Sequence, residues 1–254
     1  MYRRVYDVLK AAKAGTEDET NGRHVIAPWA IDFLRTRPDA HMLDVGAGYG
    51  ADLLAVRSAV PQARLSAVEG FPNAVAHLKA NGVAVTSINL ERDPLPFADG
   101  TFDLVSCNQV FEHLKDIFWL LSEIGRVTKD DGRIILGVPN LGALHNRVAL
   151  MLGKQPPAIH VVGPHVRGFT NAGFRSLLED DGFFAVEKIA GGNFYPFPPG
   201  VSRPLSRVMP GLAVSSFFFI RKARTDAPYV SILSGPRGAE LADTPYYKGH
   251  EAAG

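Results

Sequence analysis

Short unbroken apolar runs alternate along the first half of the chain with segments in which apolar residues recur at helical spacing. His41-Met42-Leu43-Asp44-Val45 reads as a buried strand, Ala51 to Val60 as a helix stopped by Pro61, and Arg64 to Val68 as the next strand. Pro72 suits a first helical position, and Asn81-Gly82 a helix stop. Val83 to Ile88 follows as a third strand, a polar loop runs to Gly100, and Phe102 to Cys107 forms a fourth. A helix is predicted from about Ile117 to Val127. Asp131-Gly132 then turns the chain into a fifth strand, Arg133 to Val138, ended by Pro139.

Beyond residue 139 the alternation breaks. A long irregular segment reaches Phe169, Thr170 caps a helix through Asp181, and Phe183 to Ile189 is a strand. Gly191 to Gly211, rich in Pro and Gly, separates it from a last strand, Ala213 to Arg221. With no helix expected between these two strands, they are predicted to pair antiparallel. Two helices are expected before His41 and an irregular tail after Lys222. The order predicts an α/β fold: a doubly wound, Rossmann-like sheet, mostly parallel with an antiparallel final strand, helices on both faces, and lid segments. One domain is expected over 1–222, with N-terminal helices (1–39), a cofactor-binding core (40–139), and lid and substrate segments (140–212). Residues 223–254 form the tail.

Composition narrows the classes. An apolar content of 46% in 254 residues supports one sizeable core. A formal net charge of +1 gives no global attraction to nucleic acid or to an anionic membrane, so any electrostatic preference is local. Cys107 is the only cysteine, which excludes an intramolecular disulfide and a thiolate metal cluster, and its apolar strand predicts an inert buried thiol. The first residues, Met1 to Asp7, lack the apolar run of a secretory signal, and Leu212 to Ile220 is too short to cross a bilayer. A cytoplasmic protein is expected, without membrane insertion or a nucleic-acid partner; a homodimer is compatible with the sequence.

Strand, Asp44-Val45-Gly46-Ala47-Gly48-Tyr49-Gly50, then helix is a turn that lets a ligand approach the backbone. Taken alone it also satisfies a relaxed dinucleotide fingerprint, with Glu69 roughly 20 residues on, where a ribose-binding acid is expected. Asp44 discriminates. At the carboxyl end of the first strand it would repel a pyrophosphate and attract a cationic sulfonium amino acid. Alternatively, Asp44 only binds backbone amides of the turn, which suits either cofactor.

Leu43 to Gly50 resembles the first motif of class I S-adenosylmethionine-dependent methyltransferases, and Ser66-Ala67-Val68-Glu69-Gly70 resembles the second. Asn89-Leu90-Glu91 with Leu95-Pro96-Phe97 resembles the adenine-flanking loop, and Phe102 to Val105 with Val110-Phe111-Glu112-His113-Leu114 resembles the fourth-strand motif. The similarity covers about residues 40 to 140, and the subgroup it resembles is type 11, which includes ubiquinone-biosynthesis-like enzymes. It implies S-adenosyl-L-methionine as cofactor and S-adenosyl-L-homocysteine as product. The implied cofactor contacts are Asp44, Gly46, Ala47, Gly48, Tyr49, Gly50, Glu69, Gly70, Asn89, Leu90, Asn108 and Gln109, with Glu69 on the ribose hydroxyls. Magnesium-dependent members carry acidic residues around the Glu-His pair; here Gln109 stands nearby, and no metal is expected.

Methyl transfer to a hydroxyl needs alignment and a proton acceptor, for which histidine is suited. His113 and His165 are the candidate bases; each has an alternative, His113 as a cofactor or packing residue and His165 as a loop residue bonded to backbone. His160 is a weaker candidate near the substrate. Residues 139–169 hold Arg147, Lys154 and Arg167, residues 191–211 hold Arg203 and Arg207, and neither segment contains Asp or Glu. His160, Arg147, Arg167 and Tyr195 are therefore taken as substrate contacts for an anionic small molecule such as an acidic or nucleotide-linked sugar. Solvated loop charges and ordinary ring packing are the alternatives. An N-methyltransferase, a macromolecular methyltransferase, a nicotinamide-dependent oxidoreductase and a non-catalytic cofactor-binding module remain competing classes.

Overall fold

The computed structural model describes residues 20–234. Seven strands form one sheet: β1 (His41–Val45), β2 (Arg64–Val68), β3 (Ala84–Thr86), β4 (Phe102–Asn108), β5 (Thr128–Pro139), β6 (Phe184–Gly192) and β7 (Ser215–Lys222), in the order β3-β2-β1-β4-β5-β7-β6. The first five pair in parallel, and β7 runs antiparallel to both β5 and β6. This is the predicted α/β sheet with its antiparallel final strand.

The helices are α1 (Arg23–Leu34), α2 (Ala51–Ala59), α3 (Pro72–Ala80), α4 (Ile117–Val127), α5 (Leu144–Met151), α6 (Asn171–Glu179) and α7 (Pro199–Val208). Helices on both faces bury β1 and β4 almost throughout, which is why these strands read as continuous apolar runs. α4 buries Ile117, Leu120, Leu121, Ile124 and Val127, a helical-period stripe, and Asp116 starts it by accepting the Trp119 amide at 3.0 Å. That stripe meets Phe102, Val105, Phe174 and Phe218 on one face of the sheet. On the other face Ile26 and Leu34 of α1, Leu53 of α2 and Leu78 of α3 pack with Met42 and Phe217. Each such fully buried side chain contributes about 1.5–3 kcal/mol from burial. Gly22, ahead of α1, has φ +69°, and a Cβ there would lie 2.1 Å from the Phe217 ring, so only glycine lets α1 dock on β7.

Several expectations are corrected by the second half. A helix, α7, does lie between β6 and β7: Pro198 and Pro199 punctuate its start, where a missing amide proton costs nothing, instead of marking a coil. The segment after β5 holds α5, anchored by buried Asn146, whose amide donates to Asn140 O at 3.0 Å. Asp131-Gly132 is not a free turn but part of β5, whose register against β4 shifts between Phe102 and Leu104. The third strand is shorter than expected, and the helix capped by Thr170 ends at Glu179. The expected tail is docked as far as Leu233: Tyr229, Ile232 and Leu233 are buried, and the Tyr229 hydroxyl donates to Leu177 O at 2.6 Å. Of the two N-terminal helices expected, α1 is present; any other would lie outside the described residues, as does the tail beyond 234.

Candidate active site

The chain leaves β1 toward one side of the sheet through β2 and β3, then crosses to β4 on the other side, so a crevice opens at the carboxyl ends of β1 and β4. The glycine turn fills its floor. Gly46 and Ala47 donate their amides to Val68 O, at 2.8 and 3.3 Å, which binds the turn to the end of β2. Gly46 has φ +75°, and a Cβ there would lie 2.4 Å from Val110 Cγ2. Gly48 (φ +54°) and Gly70 have no atom within 4 Å of such a Cβ, so open space lies over their backbone. Tyr49 is 61% exposed and meets His77 edge-on at 5.6 Å.

Two buried acids face the turn. Asp44 pairs in register with Ser106 of β4, and the Ser106 hydroxyl donates to its Oδ1 at 2.7 Å. Burial pushes the Asp44 carboxyl up to about 7, helped by the nearby negative charges of Asp52 and Glu69 and opposed by the Ser106 bond. Glu69 Oε2 accepts the Gly48 amide and its Oε1 the Phe71 amide, both at 2.7 Å. Each oxygen keeps a second lone pair for a ligand hydroxyl.

The loop after β3 borders the same crevice. Asn89 Oδ1 accepts the Glu91 amide at 3.0 Å, Leu90 packs against the core, and Glu91 Oε1 accepts the Lys115 amide at 2.8 Å. The Arg126 guanidinium donates to Leu95 O and Phe97 O at 2.9 and 2.7 Å, which holds the far end of this loop.

Beyond β4, Gln109 has φ +56° and its buried Nε2 has no hydrogen-bond partner, an arrangement of the kind that collects at ligand sites. Asn108 donates its side-chain amide to Asn21 O at 2.9 Å, and its buried Oδ1 has no hydrogen-bond partner. Its Oδ1 lies where a Cβ on Gly137 would be, 2.1 Å away. Asn108 thus ties β4 to the approach to α1. Glu112 is buried, its Oε2 is unpartnered, and burial pushes its carboxyl up to about 7. Cys107 is buried as expected, and burial with the charges of Asp44 and Glu112 raises its thiol further from reactivity.

His113 and His165, far apart in sequence, meet with ring centroids 4.8 Å apart. The contact forms because the chain before α6 folds back over the end of β4: Val166 and Arg167 donate their amides to Glu112 O at 2.8 and 3.3 Å. His113 Nδ1 lies 3.2 Å from Pro164 O and His165 Nδ1 2.7 Å from Ala158 O. A carbonyl only accepts, so in the neutral rings each Nδ1 carries the proton and each Nε2 the lone pair. Glu112, His113 and His165 together bring three candidate ligand atoms within 4.8 Å of one another, one donor more than the Glu-His pair taken alone.

The remaining candidates spread outward. His160 is exposed, Arg147 Nε donates to Gly142 O at 2.7 Å, and Arg167 Nε donates to Lys115 O at 3.1 Å. Tyr195 lies against His145 of α5 at 5.5 Å, and burial lowers the His145 pKa. Ser106 and His145 were missed. For Ser106 the signal was a lone hydroxyl inside an apolar strand adjacent to the one ending in Asp44; His145 carried none.

A parallel sheet with an antiparallel last strand and an acidic glycine turn at its switch point defines a doubly wound α/β domain with a crevice open over that turn. Residues 43–136 match the family model described as "Methyltransferase domain". A "Probable S-adenosylmethionine-dependent methyltransferase" of Mycobacterium tuberculosis is 34% identical over 167 residues, covering 65% of this chain and 55% of that protein. The chain thus spans about half the length of that relative. A malonyl-[acyl-carrier protein] O-methyltransferase of Geobacter sulfurreducens is 28% identical, covering 68% of this chain and 67% of that one. In fold, the chain is similar to a SAM-dependent methyltransferase structure from Thermotoga maritima, with TM-score 0.56 and 16% identity, covering 88% of this chain and 97% of that one. Residues 43–136 thus match a methyltransferase domain, and the relatives that resemble the chain include S-adenosylmethionine-dependent and ubiquinone-biosynthesis O-methyltransferases. The names of these relatives point to S-adenosyl-L-methionine as the molecule to set against this crevice. The chain's own residues fit that molecule: a buried acid for its cationic end, an acid with free lone pairs for ribose, and open backbone at Gly48 and Gly70.

Proposed function

We propose that the protein transfers a methyl group to a hydroxyl of an anionic small molecule, with the proton taken by His113 or His165. The observation that carries this reading is the histidine pair beside the end of β4, each ring fixed through Nδ1 to a carbonyl and presenting its Nε2 lone pair. The bound donor supplies an electrophilic methyl on a sulfonium. Residues of the chain do the rest: Glu69 and the glycine turn hold the nucleoside, Asp44 attracts the amino-acid end, and Gln109 offers its unpartnered amide. Arg147, Lys154 and Arg167, in a segment without acids, support an anionic acceptor, with Tyr195 and His160 as further contacts.

The test is turnover with labelled donor against anionic and neutral hydroxyl compounds, for the wild type and for His113→Ala and His165→Ala. Loss of turnover in at least one variant, with S-adenosyl-L-homocysteine affinity retained, supports the reading. Full turnover in both variants overturns the base, and transfer to an amine or to protein alone overturns the acceptor class.

A further inference from the structure

We infer that the sheet edge carrying the active site docks on an anionic phospholipid bilayer through the segments 144–166 and 197–209. Among the described residues fourteen large apolar side chains are exposed, and twelve of them lie in these two segments. α5 leaves Leu144, Val148 and Met151 exposed at 39%, 48% and 85%, a stripe of helical spacing that continues into Leu152 at 66%. The loop beyond presents Val161 and Val162 at 81% and 91%.

α7 is inverted. A surface helix ordinarily buries its apolar stripe. Here Ser202 and Ser206 are the buried positions, and the Ser202 hydroxyl accepts the Phe194 amide at 2.6 Å. Val201 and Val208 stay exposed at 47% and 80%. The helix is thus seated by its hydroxyls, and its apolar side faces outward.

Topology puts both segments at one edge. One follows the carboxyl end of β5, and the other joins the carboxyl end of β6 to the start of antiparallel β7. Their feet are bonded together: Asn140 donates its amide to Val214 O at 2.8 Å, and its side-chain amide donates to Gly211 O and Ala213 O at 3.0 and 2.8 Å. His145 and Tyr195 bridge them further out.

Charge identifies the occupant. An apolar patch of this extent marks an interaction surface, and this one is flanked by Arg147, Lys154 and Arg207 in two segments that contain no Asp or Glu. Exposed aliphatic wedges within a purely basic frame match a surface of acyl chains beneath anionic headgroups. A second copy of the same face would bring like charges together. Among the described residues no helix is long and apolar enough to cross a membrane, so the contact is interfacial. Docked this way, the edge that bears Gly46 to Gly50 and the histidine pair turns toward the lipid.

The test is flotation of the full chain with phosphatidylcholine vesicles that contain or lack phosphatidylglycerol, at low and high salt, with no methyl donor present. Its outcome is therefore independent of the methyl-transfer reading. The chain is expected to float with the anionic vesicles at low salt and to stay behind with pure phosphatidylcholine. Joint replacement Val161→Asp and Val162→Asp is expected to cut binding at least about tenfold, and Lys154→Gln or Arg207→Gln about fivefold each. All these sites are exposed, so melting temperatures should match the wild type, and matched melting separates lost binding from lost folding. Failure of the wild type to float, equal flotation by the Val161/Val162 variant, or equal binding to uncharged vesicles overturns the inference. So does a stable dimer in solution that the Val161/Val162 variant dissociates, because the face would then belong to a second copy.

Discussion

Glu69 Oε2, at the end of β2, accepts the amide of Gly48 in the turn after β1 at 2.7 Å. The same carboxylate accepts the Phe71 amide through its other oxygen, so the group that would hold a ribose also shapes the turn beneath it. Glu69→Gln retains the size but replaces one acceptor with a donor that faces an amide. A stability loss of about 1–3 kcal/mol is expected, with S-adenosyl-L-homocysteine affinity reduced roughly tenfold or more. Thermal melts and titration calorimetry check both.

The glycines of the turn should separate. Gly46→Ala meets Val110 at 2.4 Å in addition to its positive φ, so loss of about 2 kcal/mol or more is expected, with partial recovery in Gly46→Ala/Val110→Ala. Gly48→Ala has only the positive φ to contend with and should cost about 1 kcal/mol. Its methyl enters the open space over the turn, so cofactor affinity should fall by more than stability does. Equal stability losses for the two single variants would contradict this.

Asp44 titrates at about 7 in the folded chain because it is buried among other acids. The folded state therefore holds a proton more tightly than the unfolded state from the ordinary aspartate value of 3.8 up to about 7, and the stability contribution of Asp44 declines as pH rises through that window. Asp44→Asn removes this effect. The variant should be more stable than the wild type at about pH 8, by roughly 2–4 kcal/mol at most, and should bind the cofactor poorly. Since a cationic ligand favours the ionised acid, wild-type affinity should increase from about pH 6 to about pH 8. A variant that melts lower than the wild type at high pH contradicts the assignment.

Proton transfer to a histidine needs no ion, although Glu112, His113 and His165 are close enough to share one. Dialysis against a chelator should leave turnover unchanged. A loss that zinc or magnesium restores would reassign the three side chains as metal ligands.

Legibility followed periodicity. His41–Val45, Arg64–Val68 and Ile117–Val127 have the predicted bounds because each buries a repeating apolar pattern against the centre of the sheet. α5 and α7 were not legible because neither buries an apolar stripe: one is anchored by Asn146 and the other by Ser202 and Ser206. Asp44, Glu69 and the glycines were found from local spacing, since they adjoin strand ends. The meeting of His113 with His165 and of Asp44 with Ser106 depends on chain return and strand order, which no local pattern encodes. The bond from Asn108 to Asn21 depends on the same return of the chain.

The central claim is that the turn from Gly46 to Gly50, with Asp44 beneath it, receives S-adenosyl-L-methionine. Thermal shift of the full chain with S-adenosyl-L-homocysteine or a nicotinamide dinucleotide tests it most directly, since saturation at about a hundred times Kd stabilises by about 2.7 kcal/mol. A rise with S-adenosyl-L-homocysteine only, absent in Gly48→Ala, is the predicted result. Stabilisation by the dinucleotide alone would contradict it.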